Sequence, residues 1–177
     1  MGEIINEPKK VMSAQQKGLI FGIILVLVSI VIYVLIPNMA DQQKWWPLSL
    51  AIMVGGIVWA CWKFSDDMYG NVTFGNVFGH GFKATAVMTI VIVLYFILAV
   101  TVVFPEMKEK AMEVAMNQMM EKKNLSDADM KKALEMQEKF FLPFGIAGQL
   151  VMSLIIGAIA SLIGAVVAKK NPNPSPF

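Results

Sequence analysis

The sequence predicts an all-α integral membrane protein: a four-helix bundle in the bilayer, with an extramembrane amphipathic helical hairpin between spans three and four. The first observation is that Gly18 to Ile36 form a run of 19 residues without a charged side chain. A helix rises about 1.5 Å per residue, so this run crosses a hydrocarbon core of roughly 30 Å. The second is that three further apolar segments follow. The third is that charged residues concentrate between these segments.

The composition of the 177 residues agrees with short loops around a membrane domain. Hydrophobic residues make up 56% of the chain and charged residues 16%, against about 25% charged in a typical soluble domain. The formal net charge of +2 is too small to indicate a nucleic-acid partner. All fifteen basic residues are Lys, which excludes bidentate Arg clamps for phosphate or carboxylate. The single Cys61 excludes an intrachain disulfide, and we interpret it as a small buried hydrophobe.

The first two spans are predicted at residues 18–36 and 46–63, after a cytoplasmic tail of residues 1–17. Pro37 ends the first span, and the paired Trp45 and Trp46 open the second at the membrane interface. Small residues repeat along the second span at spacings that let a neighbouring helix approach closely in lipid. We interpret four of them as helix-packing residues: Ala51, Gly55, Gly56 and Ala60.

Residues 64–83 are predicted to be a cytoplasmic loop that contains a short interfacial helix. Thr73 is placed to cap that helix, and an apolar stripe follows on one of its faces. Three Gly residues weaken the helix, so an ordered turn packed on the bundle is the alternative. The stripe consists of Phe74, Val77, Phe78 and Phe82.

The third span, residues 84–104, ends at Pro105 and leads into a periplasmic helical hairpin of residues 105–142. Charged and Met side chains occupy different faces of the first arm, and Ser126 with Asp129 forms a capping box for the second arm. We expect the apolar faces to pack on each other or on the bundle, and the alternatives are that they face the membrane or receive a partner protein. Those faces contain Met112, Met116, Met119, Met120, Met130 and Leu134.

The fourth span is predicted at residues 144–168, and Pro143 separates it from the hairpin. Its small residues form a continuous ridge, which is the most extensive helix-packing surface in the sequence. The tail, residues 169–177, is expected to be disordered because its alternating Asn and Pro residues cannot continue the helix. The ridge consists of Ser153, Gly157, Ser161, Gly164 and Ala165.

The distribution of Lys residues predicts that both termini are cytoplasmic. Lys9, Lys10 and Lys17 precede the first span, whereas only Lys44 follows it before the second. Four spans then return the carboxyl terminus to the same side. The whole chain is less one-sided, with seven Lys residues inside and eight outside in this orientation. We give the Lys residues around the first span priority over the count for the whole chain, and this predicts cytoplasmic termini.

Two parts of the chain resemble a known bacterial family. One part runs from Phe104-Pro105-Glu106 through the Met- and Glu-rich helix and Asn124-Leu125-Ser126-Asp127 into the small-residue fourth span. The other runs from Val72 to Phe78 and from Gly81 to Lys83. Together they are similar to a family found mostly in Bacteroidetes, domain of unknown function 4199. The resemblance implies a four-span inner-membrane protein, and it brings no known activity and no catalytic residue.

No catalytic or metal-binding constellation is visible in the sequence, so we expect a non-enzymatic protein without a cofactor. His80 follows Asp66 and Asp67, but Gly-rich flanks do not promise that metal ligands converge. We therefore interpret His80 as part of a solvated loop. The Met-rich first arm of the hairpin has thioether groups that suit Cu(I), and adaptable packing or partner contact is the preferred interpretation.

Two classes of function follow from these observations. The favoured class is a structural or accessory membrane protein that acts by helix packing and by protein contacts of the hairpin. The alternative is a small transporter or channel component formed by oligomerisation. The central parts of the spans carry no charged residue, and Gln149 is their most polar candidate. This favours the first class, because charged groups in a membrane typically mark ion paths. The expected partners are the lipid bilayer and either a second copy or another membrane protein.

Overall fold

The computed structural model describes residues 11–121 and 127–171, and no residue in these ranges lies in a β-strand. Helix α1 spans Ala14–Leu35, the single turn α2 spans Met39–Gln42, and α3 spans Trp46–Asp67. Helix α4 spans Phe74–Leu98, α5 spans Glu106–Glu121, and α6 spans Asp127–Val167. Four segments, which contain α1, α3, α4 and α6, are long and apolar enough to cross a membrane. The predicted all-α class with four candidate spans is confirmed.

Helix α1 begins inside the segment that was predicted to be a tail. The Ser13 hydroxyl accepts a hydrogen bond from the Gln16 N–H at 3.2 Å, and the Gln16 side chain accepts one from the Ser13 N–H at 2.9 Å. This reciprocal pair satisfies two N–H groups at the helix start. Lys17 therefore lies in the helix and is fully buried, and its ammonium donates to the Ala60 carbonyl at 3.3 Å. The tail prediction is wrong for residues 14–17, and residues 1–10 lie outside the described ranges.

The connection between the second and third spans is shorter than predicted. Helix α3 continues to Asp67, and α4 begins at Phe74 behind Thr73, whose hydroxyl accepts a hydrogen bond from the Asn76 N–H at 3.2 Å. The short interfacial helix is therefore wrong as a separate element, because its residues form the first turns of α4. The helix continues through its Gly residues. Gly81 contributes to packing there, because it lets α4 approach α3 so closely that an added Cβ atom would overlap the Cys61 side chain.

Helix α4 ends in a π-helical turn over residues 99–103, which the Phe104 N–H closes by donating to the Ala99 carbonyl at 2.7 Å. Such turns widen the helix by one residue and often lie near functional sites. Pro105 follows directly, and α5 begins at Glu106. The third candidate span therefore starts earlier than the predicted residue 84 and ends close to the predicted residue 104.

The fourth span and the second arm of the predicted hairpin form one helix. Helix α6 runs unbroken from Asp127 to Val167 with Pro143 inside it, so the predicted separation at Pro143 is wrong. Proline removes one N–H donor and crowds the carbonyl one turn earlier. Membrane helices tolerate this where neighbouring helices, hydroxyl side chains or water satisfy the freed carbonyl. The turn between the arms, with Ser126 of the predicted capping box, lies outside the described residues.

The described carboxyl end is held against the α3–α4 connection. The Ser65 hydroxyl donates to the Lys169 carbonyl, and the Asn171 N–H donates to the Gly70 carbonyl at 2.8 Å. Gly70 adopts a positive φ of 73°, which suits a residue without a Cβ atom. Residues 169–171 are thus anchored, in contrast to the predicted disordered tail, and residues 172–177 lie outside the described ranges.

Helix α4 lies at the centre of the bundle because it contacts α1, α3 and α6. Glycines permit the close approach of its neighbours. On α1, a Cβ atom at Gly18 would overlap the backbone of Ala84. On α6, a Cβ atom at Gly157 would overlap the side chain of Thr85. Close backbone approach of this kind is the usual source of helix association in lipid, where van der Waals contact replaces the hydrophobic effect.

Candidate functional site

A cavity of about 380 Å³ lies between the four membrane-spanning helices, and we call it the inner cavity. Every one of the four helices contributes to its lining, which is mostly aliphatic. Its polar lining residues are Ser29 of α1, Ser49 of α3, Tyr95 of α4, and Gln149 and Ser153 of α6. A mostly apolar pocket with a few convergent polar groups is the usual form of a small-molecule site.

A second cavity of about 550 Å³, the outer cavity, continues the inner cavity towards the end of the bundle at which α5 begins. The two cavities share Ser29, Trp46, Ser49 and Tyr95. The outer cavity extends from these residues to Gln42, Gln43 and Met107 among others. Together the two cavities form a cleft that runs from one end of the bundle into its interior.

The polar groups of the cleft differ in how well they are satisfied. Ser29 donates to the Leu25 carbonyl at 2.8 Å, and the Gln149 amide donates to the Ser153 hydroxyl at 2.9 Å. The Tyr95 hydroxyl is buried and has no hydrogen-bond partner within the described residues. Leaving a buried hydroxyl unpaired costs about 1–3 kcal/mol. None of the residues that line the two cavities is charged.

The base of α5 is held to α1 beside the mouth of the cleft. The Tyr33 hydroxyl donates to the Glu106 carboxylate at 2.8 Å and accepts from the Lys110 ammonium at 3.3 Å. The Tyr33 ring packs on Phe104 with 4.3 Å between ring centroids. The hydrogen bond from Tyr33 is the largest cause that lowers the pKa of the Glu106 carboxyl from its ordinary value of 4.5, and Lys110 lowers this pKa less. We call this set the α5 latch.

The Met-rich surface of α5 is not buried by the rest of the chain. Met116 and Met120 are 39% and 46% exposed, although the sequence led us to expect local burial of this face. Met112, Met119, Met130 and Leu134 are partly buried. The local contact between α5 and α6 includes an exposed ion pair between Lys108 and Glu138 at 3.3 Å. The expectation of complete local packing is therefore wrong for Met116 and Met120.

The predicted packing residues fall into two groups. The whole ridge of α6 is buried: Ser153, Gly157, Ser161, Gly164 and Ala165. On α3, Gly56 and Ala60 are buried, whereas Ala51 and Gly55 lie exposed on the outer face, and a Cβ atom at Gly55 would meet nothing within 4 Å. The assignment of Ala51 and Gly55 to a helix contact is therefore wrong, because α3 turns its Gly56 side towards Phe21 of α1.

Two sets of residues were not predicted from the sequence. Gly18 and Gly22 of α1 pack against α4, and their spacing of four residues is a signal that could have identified them. Ser29, Ser49 and Tyr95 come together only when α1, α3 and α4 assemble. Each is a single polar residue in an apolar run, and such residues carry no pattern that separates a cavity lining from an isolated hydroxyl.

The residues weighed for metal chemistry do not assemble into a site. His80 lies on α4, not in a solvated loop, and its ring stacks on Phe64 with 4.1 Å between centroids. Asp66 and Asp67 face Lys63, with N–O distances of 3.0 and 3.1 Å. Across residues 11–121 and 127–171, no three His, Cys, Asp or Glu side chains are placed to hold a metal ion together.

Over residues 16–170 the chain matches the family described as "Protein of unknown function (DUF4199)". The chain belongs to this family. The match includes α5 and, apart from the first two residues of α1, all four candidate spans, and it confirms the resemblance drawn from the segments around Val72 and Phe104. No curated protein and no solved structure matches the chain.

Proposed function

We propose that this DUF4199 member is an accessory protein of a bacterial inner membrane, with the bundle as a scaffold and the hairpin as a contact surface for another membrane protein. The observation that carries the proposal is the exposure of Met116 and Met120 on α5. The α5 latch ties the base of the helix to α1, so the exposed face is presented at a defined place. Met side chains adapt to differently shaped partner surfaces.

The charges of α5 support an apolar protein partner over a strongly charged one. Helix α5 contains four Glu residues (106, 109, 113 and 121) and two Lys residues (108 and 110), so it offers no basic surface. A nucleic acid or an acidic ligand would select a basic surface. We propose a different membrane protein as the occupant, and a second copy of this chain is a distinct outcome of the test. The proposed role involves no enzymatic step and no cofactor.

The proposed orientation places both termini in the cytoplasm and the hairpin in the periplasm. The support comes from Lys9, Lys10 and Lys17 before the first span. The amino-terminal end of α1 and the carboxyl end of α6 lie at the same end of the bundle: Lys17 reaches Ala60, and Lys169 is bonded to Ser65. A single orientation therefore assigns both ends to one side of the membrane.

A position-specific crosslink tests the proposed contact surface. A photocrosslinking amino acid is placed at Met116 or at Gln118, which lie about 200° apart around the helix. In native membranes we expect position 116 to capture one other membrane protein and position 118 to capture much less of it. With that protein tagged, Met116→Lys should reduce co-purification at least fivefold, and the control Gln118→Lys should not.

Two outcomes would contradict this function. Equal capture from positions 116 and 118 would mean that the Met-rich face is not a specific surface. An adduct of twice the mass of this chain would mean that the surface binds a second copy of the chain and not a different membrane protein.

A transport role is the second candidate, and the cleft favours it because one chain alone encloses polar groups at membrane depth. Vesicles that contain the purified protein and a K⁺ or chloride gradient test this alternative. The accessory role predicts no leak above protein-free vesicles. A leak that disappears when the inner cavity is filled by Gly148→Leu would establish transport instead.

A further inference from the structure

An apolar groove of about 330 Å³ lies on the outer surface of the spans, next to the cleft. It lies between α1 and the start of α3, and aliphatic side chains such as Leu27, Val31 and Leu48 line it. The groove shares Ile32 and Trp45 with the outer cavity. Groove, outer cavity and inner cavity are therefore neighbours along one path from the membrane side of the bundle to its interior.

The polarity of this path changes in one direction. The groove is lined almost wholly by carbon, whereas the inner cavity adds hydroxyl and amide groups from Ser29, Ser49, Tyr95 and Gln149. None of the residues that line the three spaces is charged. A charged group inside the cleft would lose its hydration without gaining a counterion, which is strongly unfavourable. An uncharged polar group would gain hydrogen bonds there.

We propose that the cleft is a binding site for an uncharged lipid-like molecule, whose oxygen-bearing head lies in the inner cavity and whose apolar tail lies in the groove. The buried Tyr95 hydroxyl and the Gln149 amide are the groups that recognise the head oxygens. The volume of the inner cavity falls in the range of known ligand pockets, about 300–1,000 Å³. This site goes beyond the proposed contact role of the hairpin and does not depend on it.

The four Trp residues provide an internal readout. Trp46 lines both cavities and Trp45 lines the outer cavity and the groove, whereas Trp59 and Trp62 lie about 20 Å further along α3. A cleft reporter is made with Trp59→Phe and Trp62→Phe, and a distant reporter with Trp45→Phe and Trp46→Phe. Both are placed in phosphatidylcholine nanodiscs, and quenching of Trp fluorescence by brominated lipids is measured.

Two probes share one tail and differ in the head. The uncharged probe is mono-(9,10-dibromostearoyl)glycerol, and the anionic probe is phosphatidylglycerol with the same brominated chain. We expect saturable quenching of the cleft reporter by the uncharged probe. Its half-saturation should lie at a mole fraction at least fivefold lower than for the anionic probe. The distant reporter should show only the linear quenching of bulk lipid.

Matched variants locate the site. Gly148 lines the inner cavity and a Cβ atom there meets nothing within 4 Å, so Gly148→Leu should fill the cavity and abolish saturable quenching without disturbing the fold. Tyr95→Phe should raise the half-saturation about fivefold by removing one hydrogen bond. Gly55→Leu and Tyr69→Phe are the same substitutions at positions outside the cleft. Both should leave the saturable quenching and its half-saturation unchanged.

Three results would overturn the proposal. Saturable quenching that is equal in both reporters, or that persists in Gly148→Leu, would place the lipid elsewhere. Equal affinity for the two probes would exclude selection of an uncharged head. The absence of saturable quenching in the cleft reporter itself, when that reporter unfolds like the unmodified protein, would mean that the cleft holds only water or bulk lipid.

Discussion

At the residue scale, the packing of the bundle depends on what stands opposite each glycine. A Cβ atom at Gly157 of α6 would overlap the Thr85 side chain of α4. The Thr85 side chain is itself fully buried and its hydroxyl donates back to the Gly81 carbonyl at 3.1 Å, so it has little room to move. Gly55 of α3 lies on the outer face, where the same added atom meets open space. Replacing Gly157 by a larger residue should therefore lower the free energy of unfolding, whereas replacing Gly55 should not, although both lie within helices.

We predict that Gly157→Leu lowers the free energy of unfolding by roughly 1–3 kcal/mol or more, because the larger side chain forces α4 and α6 apart. Gly55→Leu should not lower it and should raise it by about 0.5–1 kcal/mol, because an exposed helix position without a steric clash gains helix propensity when Gly is replaced. Unfolding in detergent, followed by far-ultraviolet circular dichroism, provides the comparison. Similar losses for both variants would mean that the α6 ridge does not face α4.

At the element scale, the unbroken helix α6 links the extramembrane arm to the membrane. Pro143 lies inside it and forgoes one backbone hydrogen bond. We predict that Pro143→Ala raises the unfolding free energy by about 1–3 kcal/mol, since proline in a helix interior costs about 3 kcal/mol relative to alanine. Thermal unfolding measures the change. A neutral or destabilising effect would favour two separate helices with a break at Pro143.

The α5 latch makes the attachment of α5 to α1 depend on pH. The pKa of Glu106 is lowered in the folded protein, so the charged carboxylate stabilises the attachment at pH values above 4.5. This contribution is lost as the pH falls through the lower folded pKa. A spin label at Gln118→Cys in a Cys61→Ser background should therefore become more mobile as the pH is lowered below 4.5, through the lowered pKa of Glu106.

Two variants test whether Glu106 is responsible for that transition. Glu106→Gln should leave the spin label mobile at neutral pH and remove the transition, because the neutral amide accepts a weaker hydrogen bond from Tyr33. Glu113→Gln, about two turns further along α5, should keep the transition. An unmodified pH response in Glu106→Gln would assign the transition to another carboxyl group.

At the scale of the whole molecule, the orientation can be read from three single cysteines in a Cys61→Ser background. Gln15→Cys and Lys169→Cys report on the two ends of the chain, and Gln118→Cys reports on the hairpin; all three side chains are exposed. In intact spheroplasts we expect an impermeant thiol reagent to label position 118 alone. Labelling of positions 15 and 169 with position 118 protected would invert the orientation.

Much of the architecture could be predicted from the sequence. Long apolar runs predicted four helices, and the family resemblance predicted the membership that the match over residues 16–170 confirms. The candidate site could not be predicted in the same way. Its hydroxyl groups come from residues such as Ser29, Ser49 and Tyr95, which are far apart in the chain and ordinary in their own segments. Their meeting depends on how each helix is rotated about its axis.

The sequence by itself determined the helical class, the number of spans and the exposed polar segments, because hydropathy over about twenty residues is a local property. Only the tertiary structure decided that Lys17 and His80 lie within helices against α3, that Gly56 and not Gly55 faces a neighbour, and that α6 continues through Pro143. These outcomes depend on close contacts between helices, which in lipid are set by the shapes of facing surfaces and not by hydrophobicity.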